Sequence, residues 1–137
     1  MSLILDNSVT MAWVFPEETT REIEDVFSRI EYSGALVPAL WHIEVANVLQ
    51  TAIRKGRRDA AFRDKTFAEL TVLPIDLDDG THPNIWSTIA RLAERHDLTV
   101  YDAIYLELAM RRGLSLATLD GDLRDAATRE GVSLLGL

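Results

Sequence analysis

The sequence contains no cysteine, which excludes a disulfide framework and any thiolate metal site and fits a reducing compartment. It has no apolar run of membrane-spanning length. Its opening, Met-Ser-Leu-Ile-Leu-Asp, carries neither the basic region nor the apolar run of a signal peptide, so the expected location is the cytoplasm. Positive charge is also scarce: 14 Lys and Arg stand against 22 Asp and Glu, a formal net charge of −8. That sign argues against coating nucleic acid by bulk attraction. It leaves room for an enzyme whose acidic site is neutralised by divalent cations, and it suits a basic protein partner. No P-loop, Gly-x-Gly-x-x-Gly motif, internal repeat or linker occurs, and His42, His82 and His96 have no metal-ligand spacing. The Asp76 to Gly80 segment fails as a calcium loop, because the glycine comes one residue early and Ser87 stands where a bidentate glutamate belongs.

What is present is an ordinary globular composition, 47% apolar and 26% charged over 137 residues, expected to form one domain spanning 1–137. The most informative stretch runs from Leu98 to Leu123. Asp102, Ala103, Leu106, Ala109 and Met110 fall at helical spacing, with Gly113 as the stop. Asp102 heads the apolar stripe, where a carboxylate either caps the helix or serves a site. Leu114 to Leu119 reads as a buried strand closed by Asp120.

The remaining chain alternates strand and helix. Leu3-Ile4-Leu5 is a central strand ending at Asp6, followed by Asn7 and Ser8 as N-caps and a helix from Val9 to Phe15. Pro16-Glu17-Glu18 is expected to open the next helix, whose stripe is Ile23, Val26, Phe27 and Ile30. Ala35 to Pro38 is a second strand. Trp41 to Arg54 is a helix with Trp41, Val45, Val48, Leu49, Ala52 and Ile53 inward and Glu44 in its opening turn. A further helix with Ala60, Phe62, Phe67 and Leu70 as apolar positions makes a hairpin with it, and the tip, Arg54 to Arg58, is basic. Val72 to Leu77 is an edge strand because of Pro74. Pro83 starts a helix ending near His96, Leu123 to Arg129 is a short helix, and Val132 to Leu135 a last strand. This alternation predicts an α/β fold with a central parallel sheet and helices on both faces.

In such a fold the carboxyl ends of strands and the amino ends of the following helices share one rim. Asp6, Glu44, Asp102 and Asp120 all reach it from separate segments. Gathered there, they repel one another and invite a hard divalent cation, Mg²⁺ or Mn²⁺, able to hold a phosphate and activate water. The bland alternatives are helix capping for Asp6 and Asp102 and a turn role for Asp120. Glu44 is the least explained by them, since Trp41 and Val48 flank it on its face.

These residues resemble the PIN-domain ribonucleases, and within them the VapC-type toxins. The likeness spans nearly the whole chain: Leu-Ile-Leu-Asp6-Asn-Ser-Val, Glu44-Val-Ala-Asn47-Val-Leu, Thr99-Val-Tyr-Asp102-Ala-Ile-Tyr-Leu and Ala-Thr118-Leu-Asp120-Gly-Asp122-Leu, in that order. The resemblance implies a three-layer α/β/α PIN-like domain with a parallel sheet of about five strands. It implies a metal-dependent endoribonuclease cutting tRNA or rRNA, in which Asp6, Glu44, Asp102 and Asp120 surround Mg²⁺ or Mn²⁺ and Thr118 orients them. Asp122 is added as a fifth acidic ligand position, one that varies within the family and here follows a glycine; Asn7 and Ser8 stand close enough to Asp6 to support it. Implied partners are a second copy of the chain and a cognate antitoxin that pushes a peptide, often carrying an arginine, into the acidic pocket. Two alternatives stay open at this point: a Mg²⁺-dependent phosphatase with Asp6 as nucleophile, disfavoured by Ser8 where such enzymes carry an acid, and a non-catalytic module of the same fold.

Overall fold

The computed structural model describes residues 2–137. Five strands, β1 (Leu3–Leu5), β2 (Ala35–Val37), β3 (Ile75–Leu77), β4 (Leu116–Ala117) and β5 (Leu134–Leu135), form one parallel sheet in the order β3-β2-β1-β4-β5. The central β1 pairs Leu3 with Ala35 on one side and Ile4 with Leu116 on the other. Its three residues are fully buried, as an unbroken apolar run requires of a strand covered on both faces.

Seven α-helices connect and cover the strands: α1 (Asn7–Val14), α2 (Arg21–Ser33), α3 (Ala39–Arg54), α4 (Ala60–Thr71), α5 (Ala90–His96), α6 (Val100–Arg112) and α7 (Gly121–Arg129). The chain steps from β1 outward to β2 and β3, then crosses back to β4 and β5. Right-handed crossovers therefore put α1 to α4 on one face and α5 to α7 on the other, the expected three layers. The direction of winding reverses between β1 and β4, and a crevice opens at their carboxyl ends. Asp6 follows β1 and Asp120 closely follows β4, so the topology delivers both to that crevice.

Several boundaries differ from expectation. Asn7 and Ser8 are the first helical residues, and the N-cap position belongs to Asp6. Pro16–Glu18 forms only a 3₁₀ turn, because the Thr19 hydroxyl donates back to the Ala12 carbonyl at 2.7 Å and Thr20 supplies the cap of α2, accepting from the Ile23 N–H. The segment after Pro83 is composite: a 3₁₀ turn (His82–Asn84), a π turn (Ile85–Ile89) and then α5, ended by Asp97 in the left-handed region. Strands β3, β4 and β5 are shorter than their apolar runs, and β3 takes the predicted edge position. On α4 the buried positions are Thr66 and Leu70, while Ala60 and Phe67 are exposed, since Phe67 sits one position round the helix from Thr66. Met110 likewise turns outward from the α6 stripe. No helix among the described residues is long and apolar enough to cross a membrane.

Candidate active site

Asp6 ends the most buried strand and begins α1, yet its carboxylate makes no capping bond to that helix. It accepts instead from two hydroxyls, Ser8 Oγ and Thr118 Oγ1, each 2.7 Å from Oδ2. Those hydroxyls are fixed from behind: Ser8 Oγ accepts from the Leu119 N–H at 2.9 Å and Thr118 Oγ1 from the Asp120 N–H at 3.1 Å. Both hydroxyl protons are thereby committed to Asp6, and β1 and β4 are tied together at the rim. Burial pushes the Asp6 carboxyl above its ordinary range, against the pull of Ser8, Thr118 and the N–H groups of Asn7 and Ser8.

Asp120 caps α7, its Oδ1 accepting from the Leu123 N–H at 2.8 Å. It is thus a helix cap rather than a turn residue, and its charge still reaches Asp102. For Asp102 the capping alternative fails, because Thr99 caps α6 by accepting from the Asp102 N–H at 3.1 Å and leaves the aspartate side chain uncommitted. Its pKa rises to about 6, first through burial and then through the negative charges of Asp120 and Asp6, with Asp122 adding a smaller push.

Glu44 lies in the second turn of α3, one turn later than expected, and is half-buried. Its Oε1 accepts from the Tyr105 hydroxyl at 2.5 Å. Burial raises its pKa and so do the charges of Asp6 and Asp102, while Tyr105 acts the other way. The phenol in turn is held well above its usual range by burial and by Glu44. Tyr105 was missed in the sequence, although a tyrosine one helical turn after Asp102 on an apolar face must find a partner for its hydroxyl.

The structure therefore gathers the four acids around Asp102: Glu44 feels the charges of Asp6 and Asp102, and Asp102 those of Asp120 and Asp6. Asp122 stands exposed in the first turn of α7, within reach of Asp102 only as a field. Ser8 and Thr118 support Asp6 directly. Asn7 does so through its N–H, whereas its side-chain oxygen is buried without a partner. None of the five acids pairs with a Lys, Arg or His among the described residues. Nor do three of them converge tightly enough to form a ready-made cage for a metal. A loose, oxygen-only, uncompensated donor set fits an ion that takes one or two carboxylates and keeps several waters, the habit of Mg²⁺.

The sequence pattern of the PIN domain matches residues 3–129. The chain belongs to the PIN-domain family. This PIN domain is 33% identical over 127 residues to Ribonuclease VapC3 of Pyrobaculum aerophilum, an alignment covering 91% of this chain and 94% of that one. Among solved structures, a crystal structure from Pyrobaculum aerophilum superposes with a TM-score of 0.74 at 22% identity, covering 98% of this chain and 89% of the other. A toxin-antitoxin complex from Klebsiella pneumoniae superposes with a TM-score of 0.60 at 16% identity over 86% of each chain. At those identities the two structures speak to the fold, which is the three-layer PIN architecture.

Proposed function

We propose that this PIN domain, spanning 1–137, is a divalent-metal-dependent endoribonuclease and the toxin of a toxin–antitoxin pair. The observation that carries the reading is a set of carboxylates, from four separate segments at the switch point of the sheet, in which burial and the charges of Asp6 and Asp102 raise the pKa of Glu44, burial and the charges of Asp120 and Asp6 raise that of Asp102, and no cation compensates them. The ribonuclease name of a relative sharing a third of its residues supports the substrate class. A toxin-antitoxin complex built on the same fold supports the partner, an antitoxin presenting a basic peptide to the acidic pocket. A homodimer and a cytoplasmic location belong to the same reading.

In this reading Asp6, Glu44, Asp102 and Asp120 hold Mg²⁺ or Mn²⁺ directly or through water, and Asp122 adds charge at the mouth. The bound ion supplies positive charge at the scissile phosphate and acidifies water for attack on phosphorus. Ser8 and Thr118 fix the Asp6 carboxylate by donating to it, and Tyr105 fixes Glu44 in the same way. The phosphatase alternative gains nothing from the geometry: Ser8, where an acid would be needed, is committed to Asp6 as a donor.

The test is incubation of end-labelled total tRNA and ribosomal RNA with partner-free protein and Mg²⁺ or Mn²⁺, beside EDTA and Asp102→Ala controls. Discrete metal-dependent products absent from the variant are expected and would name the target RNA. Equal cutting by the variant, or none by the wild type, would overturn the assignment.

A further inference from the structure

The face of α3 that carries Glu44 continues away from the carboxylates. Asn47, Val48, Thr51 and Lys55 follow at i+3, i+4, i+7 and i+11, all within one stripe of the helix. This stripe forms one wall of a cleft of about 290 Å³, whose other walls include Phe15, Glu18, Arg57 and Arg58. Lys55 lies about 17 Å from Glu44 along the helix axis, a span of a few nucleotides of extended strand.

The tip of the α3–α4 hairpin is where this acidic chain gathers positive charge, with Arg54, Lys55, Arg57 and Arg58 in close succession. Arg58 is already engaged. It pairs with Glu17 at 2.6 Å, and its guanidinium lies 4.9 Å from the Phe15 ring centroid and 5.1 Å from that of Phe62. Lys55 and Arg57 are exposed and have no acidic partner among the described residues. Glu18 is the remaining acid of the wall, so positive charge prevails at the cleft.

We propose that this cleft is a subsite for single-stranded RNA, gripping the strand a few nucleotides from the cleavage point. The inference rests on the ribonuclease reading of the carboxylate site. Lys55 and Arg57 neutralise phosphates, and the Arg58 guanidinium and the Phe15 ring it covers form a planar wall of the cleft against which an unstacked base can lie. An acidic peptide would also satisfy the two cations. RNA is favoured because the cleft and the carboxylates share one face of one helix, and a continuous strand is what needs both at once.

The experiment measures binding of a labelled 20-nucleotide single-stranded RNA of mixed sequence in EDTA, where no cleavage occurs. Wild type is compared with Lys55→Ala/Arg57→Ala, and with Arg91→Ala/Arg129→Ala as a control of equal charge change on exposed positions of α5 and α7. The expected result is roughly tenfold weaker binding by the tip variant at 0.1 M salt and a salt slope smaller by about 1.4, as for two lost phosphate contacts. The control should bind as wild type does, and KM for tRNA cleavage should rise for the tip variant alone. Equal affinity and slope in wild type and tip variant would overturn the proposal. So would weakened binding of a deca-glutamate peptide by the tip variant with RNA binding untouched, which would assign the cleft to an acidic protein. Absence of cleavage by wild type, with RNA binding lost in the tip variant, would sink the ribonuclease reading and leave the subsite standing.

Discussion

Helix α6 carries a buried acid near its carboxyl end and a half-buried one at its amino end, and the two ends treat them in opposite ways. Near its carboxyl end Glu107 is buried beside Arg111, which donates to it at 2.7 Å and twice to Asp78, at 2.7 and 3.2 Å; Arg112 adds a third contact to Asp78 at 3.0 Å. The Asp78 carboxyl is held below its usual range, chiefly by Arg111, with the Gly80 N–H and Arg112 assisting against its burial. At the amino end Asp102 has no cation beside it, and burial first, then the charges of Asp120 and Asp6, lift its pKa to about 6 against the Thr99 hydroxyl. Burial of a carboxylate is thus no mark of function on its own. What separates the two clusters is compensation: one is complete within the protein and locks the loop after β3 onto α6, and the other calls for a cation from outside.

The largest effect on stability is expected at the compensated end. Arg111→Met leaves Asp78 and Glu107 buried with little to balance them and should destabilise the fold by about 3–5 kcal/mol, read by urea denaturation. A change below about 1 kcal/mol would mean that the cluster is no lock. The largest effect on activity is expected at the other end, where Asp6→Asn should lower RNA cleavage by more than about 100-fold, a loss exceeding that of outer ligand supports, with the melting temperature retained. If that variant unfolds, Asp6 belongs with Asp78 as a structural acid. Tyr105→Phe removes the donor that fixes Glu44 and should weaken Mn²⁺ binding about tenfold while leaving Asp6 and its two hydroxyls in place; unchanged affinity would strip Tyr105 of that role.

The smallest effect has the most telling sign. A carboxyl whose folded pKa is raised stabilises the fold fully below its unfolded pKa and loses that contribution as pH rises through the folded value. For Asp102 the window runs from about 4 to about 6. Asp102→Asn should therefore stabilise the metal-free protein at pH 7 by about 1 kcal/mol, after allowance for solvent screening at a half-exposed group, and not at all below pH 4. Asp78 behaves in the opposite sense: its depressed pKa gives stability above the unfolded value that is lost as pH falls through the folded one. Thermal melts of wild type and variant across pH 3 to 8 would separate the two contributions.

Much of this was legible in the chain because the informative residues break local rules. A glutamate between Trp41 and Val48 has no good structural excuse, an aspartate closing an unbroken Leu3-Ile4-Leu5 strand has only helix capping, and the topology that joins them follows from alternating strands and helices. The hydrogen-bond partners were less visible. Thr118 was read as an orienting residue through the family resemblance, but the pairing of Ser8 and Thr118 on a single oxygen of Asp6 depends on the β1–β4 register, which periodicity does not encode. Tyr105 was passed over, because its hydroxyl partner lies 61 positions away in sequence. The Asp78 cluster was hidden for the same reason: its arginines lie 33 and 34 positions on, in another layer. The composite turn from His82 to Ile89 was read as plain helix, since its apolar spacing does not distinguish π from α winding.

The most direct test of the central claim is calorimetric titration of partner-free protein with Mn²⁺ at pH 6 and pH 8, for wild type and Asp102→Asn. Binding by the wild type, with more protons released at pH 6 than at pH 8 and a marked loss of affinity in the variant, is the predicted result. Equal affinity in both proteins, or no binding by the wild type at millimolar Mn²⁺, would contradict it.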